Sequence, residues 1–107
     1  MRVTVSHGKG REEARRLAGQ AAGNLLRPDL PGPVRLTDIR KEWAGDVLSF
    51  AATVLFGPIR APVRGTVTVL EREIVIEVEL PPALARIAPE TAIRSAVEAR
   101  VRGLLNG

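Results

Sequence analysis

From Val47 to Leu80 the chain alternates apolar and polar residues, with two turn-like breaks, and this block constrains the fold more than any other feature. A period of two sends successive side chains to opposite faces of a sheet, so Leu48, Phe50, Ala52, Val54 and Phe56 share one face of a strand over 47–56. Val63, Gly65, Val67 and Val69 repeat the pattern against Arg64, Thr66, Thr68 and Leu70. Ile74, Ile76, Val78 and Leu80 repeat it against Val75, Glu77 and Glu79, which predicts a hairpin turning near Glu71-Arg72-Glu73. Strands with one apolar and one wet face form an antiparallel sheet that is covered on one side.

Two helical segments can supply that cover. Over Arg11–Leu26 the apolar residues Ala14, Leu17, Ala18, Ala21, Ala22, Leu25 and Leu26 form one stripe, with Glu12 and Glu13 opposing the positive helix end. Four of the seven are Ala, so the stripe is thin, and Gly19 and Gly23 beside it favour a close approach to the sheet. Their GxxxG spacing carries little weight for dimerisation in so charged a segment. A second helix, from about Pro89 to Leu105, carries Ile93, Ala96, Val97, Val101 and Leu104.

The rest of the chain falls around these elements. Arg2–Ser6 reads as a first strand, and His7-Gly8-Lys9-Gly10 turns it into the helix. Asp29–Pro33 is a connector. Val34 and Leu36 are out of phase with Ile39 and Trp43, so a strand over Val34–Trp43 needs a bulge near Thr37-Asp38 before the turn at Ala44-Gly45-Asp46. The two prolines of Gly57–Pro62 predict a loop or an irregular edge crossing, and Ala83–Ile87 a short helical turn. The expected architecture is one α+β domain over 1–107, an antiparallel sheet of about five strands with two helices on one face, in the order β-α-β-β-β-β-α. Leu17, Leu25, Phe50, Val67, Ile76, Val97 and Leu104 are its expected core.

The chemistry-bearing residues are few. No Cys is present, which excludes disulfides and thiol chemistry, and His7 is the only His, without a spacing that would pair it with metal-binding carboxylates. At a strand-to-helix junction its imidazole is expected to bond a backbone group. Gly8-Lys9-Gly10-Arg11 before a helix superficially suits an anion, but it lacks the spacing of a phosphate loop, and Glu12 and Glu13 already fill that electrostatic role. Glu77 and Glu79 share a strand face, where cross-strand pairing with Arg64 is a plainer account than acid catalysis. Ser6, Ser49 and Ser95 have no hydrolase context. Arg100 falls between Ala96, Val97 and Leu104, so its guanidinium must snorkel, meet a carboxylate or serve an interface. His7, Arg64 and Arg100 are the candidate interaction residues; no catalytic, cofactor or metal site is expected.

The net charge is +4, from 16 basic residues of which only Lys9 and Lys41 are lysine. Basicity raises the question of a nucleic-acid partner, but the arginines are scattered and the aromatic residues, Trp43, Phe50 and Phe56, offer no stacking platform beside them. No apolar run is long enough to span a bilayer, and Met1-Arg2-Val3-Thr4 leads into a strand and not a signal peptide, so a cytoplasmic location is expected.

The combination Ser6-His7-Gly8, Glu12-Glu13-Ala14-Arg15, Trp43 to Phe50, Arg64 to Val69 and Val78-Glu79-Leu80-Pro81, followed by a closing basic helix, resembles the polyhydroxyalkanoic acid system proteins. The likeness runs through nearly the whole chain, which departs from the family in the proline-rich connectors Asp29–Pro33 and Gly57–Pro62. It implies a non-enzymatic binding or regulatory role in bacterial polyester storage, with a protein or the granule surface as partner. Alternatives are a general protein-interaction domain, with a homodimer as one form of it, and a basic RNA- or ribosome-associated module.

Overall fold

The computed structural model describes residues 1–27, 33–86 and 88–106. Its elements run β1 (Arg2–Ser6), α1 (Arg11–Leu25), β2 (Arg35–Ala44), β3 (Val47–Phe56), β4 (Ile59–Val69), β5 (Glu73–Glu79), a 3-10 turn over Pro82–Arg86 and α2 (Glu90–Asn106). The strands form one antiparallel sheet in the order β1-β5-β4-β3-β2. The first strand therefore joins the sheet beside the last, and α1 carries the chain across to β2 at the far edge. The expected element order and fold class are those observed.

Register explains why one face is apolar. Val3 pairs with Ile76, Ile76 with Val67 and Val67 with Leu48, a row of buried side chains crossing four strands. The next residue along each strand belongs to the opposite face, which carries Arg2, Glu77, Thr66 and Ser49. Val75 is the exception on that face, being 8% exposed within the row Thr4, Val75, Thr68 and Val47. Both helices lie on the apolar face, and Ala14, Leu17, Ala18, Ala21 and Ala22 of α1 join Val101 and Leu105 of α2 in the buried cluster.

Three expectations need correction. The segment Ile59–Val63 is strand, with Pro62 opposite Thr53. Pro58 lies in the turn before β4, and Pro62 is tolerated because β5 pairs with β4 only from Arg64 onwards, leaving the outer side of 59–63 without a ladder to interrupt. Within α2, Ala96 and Arg100 are exposed and Leu105 is buried, so the stripe is Ile93, Val97, Val101, Leu104 and Leu105. Of the expected core, Leu17, Val67 and Ile76 are buried, whereas Leu25, Phe50, Val97 and Leu104 are half-buried.

The irregularity expected in β2 is present: pairing with β3 shifts between Thr37 and Arg40, and Asp38 has φ 54°. The shift puts Leu36, Lys41 and Trp43 on the helix side, opposite Val54, Phe50 and Leu48. Trp43 then packs on Gly19 of α1, 3.8 Å from where a Cβ would stand, and Arg15 stacks over its ring at 4.8 Å. Gly23 has no such neighbour among the described residues. The connector at Asp29–Pro33 lies outside the described residues except for Pro33.

Candidate functional site

His7, Arg64 and Arg100 occupy three separate settings. His7 is 7% exposed; its Nδ1 accepts from the Lys9 amide at 3.3 Å, so Nε2 carries the proton and donates to the Leu70 carbonyl at 3.0 Å. The ring, with the His7 amide donating to Arg72 at 2.8 Å, ties the end of β1 to the β4–β5 turn. Arg11 strengthens the same junction, reaching Asp46 at 3.5 Å and Glu71 at 3.8 Å. The start of α1 is thus engaged with carboxylates from its own first turn and from two sheet turns.

Arg64 lies on the open face, where its Nε donates to Glu79 at 2.9 Å, and Arg2 stands 3.8 Å from Glu77. These ladders neutralise that face in pairs, and both partners of each are exposed, so their contribution to stability is small. Arg100 projects from α2 into solvent with no carboxylate in ion-pair distance among the described residues. The other arginines are also dispersed: Arg16 bonds Glu13, Arg60 meets Asp38 and Arg102 meets Glu98. Arg16 holds the Glu13 carboxyl below its ordinary range, chiefly through that hydrogen bond. Among the described residues no three acidic or histidine side chains could hold a metal ion together, and no helix is long and apolar enough to cross a membrane.

An apolar space lies between the helices and the sheet. A cavity of about 330 Å³ is walled by Ala18, Ala21 and Ala22 on one side, Ile93 and Val97 on another, and Val67 from the sheet beneath. Its origin is local. Alanines on α1 cannot fill the space that larger side chains would occupy, and Phe50 is drawn sideways over Gly65, its Cζ 2.8 Å from where a Cβ would stand. On the open face of the sheet a separate shallow basin is lined by Arg2, Ser49, Arg64, Thr66, Glu77 and Glu79. Sequence inspection recorded the thin alanine stripe but took it to mean close packing; an underfilled layer leaves the same signature.

The structure defines a small antiparallel α+β protein whose helix pair covers one sheet face around an apolar cavity. The chain belongs to the family described as "Putative polyhydroxyalkanoic acid system protein", whose sequence model matches residues 1–105. No curated protein and no solved structure matches it significantly.

Proposed function

We propose that this protein is a non-enzymatic binding or regulatory component of bacterial polyhydroxyalkanoate storage. The observation that carries the reading is the family match, which spans residues 1–105 and therefore both helices and every strand. Of the residues singled out from the sequence, His7 is held by backbone bonds, Arg64 lies in an exposed ion pair and Arg100 is exposed without one among the described residues, an arrangement suited to a binding protein. The open sheet face, with Arg64, Thr66, Thr68, Glu77 and Glu79, is mixed and charge-compensated, which favours a protein partner or weak adhesion over tight attachment to bare polymer.

The test is fractionation of polyester granules from producing cells, combined with deletion of the gene. The protein is expected to sediment with granules, to be released by salt washing, and to alter granule number when deleted. Protein that stays soluble in producing and non-producing cells alike, with granule number unchanged on deletion, would overturn the proposal.

A further inference from the structure

We infer that the outer edge of β1 is a dimerisation surface, which pairs with β1 of a second copy of this chain, antiparallel and with Thr4 opposite Thr4. The inference goes beyond the storage role and does not depend on it. The sheet ends in β1 on one side and β2 on the other, and only one of these edges invites a neighbour. β2 carries the register shift between Thr37 and Arg40, the positive φ of Asp38 and the exposed charges of Asp38, Arg40, Lys41 and Glu42, all devices that keep an edge from pairing. β1 has no Pro, Gly or register shift, and its one charge, Arg2, stands at its end.

The direction of its backbone groups follows from its bonds to β5. The Met1 ammonium donates to the Val78 carbonyl and the Val78 amide to the Met1 carbonyl, both at 2.9 Å, and the His7 amide donates to Arg72 at 2.8 Å. Antiparallel ladders alternate, so the odd-numbered residues of β1 bond inward, while Arg2, Thr4 and Ser6 turn their N–H and C=O groups outward. No backbone group among the described residues meets them. With Thr4 on a two-fold axis, Thr4 exchanges bonds with its counterpart, and Arg2 with Ser6 of the second copy at either end, about six bonds in all. Moving the axis to Val3 or Val5 would leave Ser6 or Arg2 without a partner.

The side chains suit the same register. On the apolar face Val3 stands opposite Val5 of the second copy, and both are already buried and β-branched. On the open face Arg2 meets Ser6, so no charge opposes its like, and Arg2 keeps Glu77 at 3.8 Å in its own chain. The helix layer leaves room for the junction. Val101 of α2 walls the same cavity as Ile74 and Ile76 of β5, and α2 also packs on β1, so this helix covers both strands. Helices pack about 8–10 Å apart and strands about 4.8 Å, so a sheet continued across the axis sets the two copies of α2 side by side at an ordinary packing distance.

The experiment is sedimentation equilibrium of the purified full chain from micromolar to millimolar concentration. An edge this short should give a reversible dimer, not an obligate one. Thr4→Pro removes the outward N–H and no bond to β5, so it should abolish association while circular dichroism shows the fold retained. Thr4→Lys and Thr4→Glu each place like charges opposite one another and should weaken self-association about fivefold, whereas their equimolar mixture should form a heterodimer at least as tight as the wild type. Ser49→Lys, an exposed change on the same face away from the edge, should leave the dimer unaltered. A chain that stays monomeric at millimolar concentration would overturn the inference, as would a dimer that folded Thr4→Pro leaves intact. Lys and Glu variants that fail to associate with each other, where the wild type does, would overturn the register. Since no granule enters this experiment, its failure and that of the storage role are separately visible.

Discussion

His7 shows how one polar side chain can be central to a fold without being chemical. Its ring bonds two backbone groups and leaves neither nitrogen available for a ligand. His7→Ala should destabilise the protein by about 1–3 kcal/mol, since the Leu70 carbonyl loses its buried partner, a change measurable by urea denaturation. Gly65 is constrained differently. A Cβ there would collide with the Glu77 carbonyl and with Phe50, so Gly65→Ala should cost about 1–3 kcal/mol or more, read as a lower melting temperature. The glycine's close approach was legible because it interrupts an apolar alternation; the ring that lies over it was not, since cross-strand partners depend on register. The carboxyl of Glu13, lowered by its bond to Arg16, contributes stability that is present above the ordinary glutamate pKa and lost as pH falls through its folded value. Both groups are exposed, so Glu13→Gln should flatten the acid limb of a stability profile only slightly.

At the scale of elements, periodicity located α1, β3 and the β4–β5 hairpin within a residue or two, because each has one side in water and one in the core. The segment Ile59–Val63 was misread because proline's missing N–H forbids a central ladder but not the unpaired side of an edge, and sequence does not show where a neighbouring strand stops. Arg100 was placed in the apolar stripe by a wheel that treated Ala96 as buried; alanine sits on either side of a helix, and here the exposed side claims both. The bulge of β2 followed from the phase change between Leu36 and Trp43. Its positive-φ residue yields a direct test: Asp38→Val should destabilise by about 1 kcal/mol or more, whereas Asp38→Asn, which tolerates that backbone, should be nearly neutral in thermal melts. Within α1, Leu17 is the largest side chain of the buried stripe, and Leu17→Ala should cost about 2–4 kcal/mol.

At the scale of the whole molecule, the layered architecture was legible and the space inside it was not. Alternation and helical stripes say which faces meet, but how completely they fill the gap depends on side-chain volumes summed across elements that are distant in sequence. Ala18, Ala21 and Ala22 on α1, facing Val63 and Val67 of β4, leave about 330 Å³ that no single segment announces. The open sheet face carries the pairs Arg2 with Glu77 and Arg64 with Glu79, whereas the covered face is apolar along the row Val3, Ile76, Val67 and Leu48. The most direct measurement of this layering is a map of NMR nuclear Overhauser contacts in the methyl-labelled chain. Contacts from Leu48, Val67 and Ile76 to Leu17, Ala18, Val101 and Leu105 of the helices, with none from Thr4, Thr66 or Thr68 to either helix, are the predicted result. Helix contacts to the open face, or none to the row Val3, Ile76, Val67 and Leu48, would contradict it.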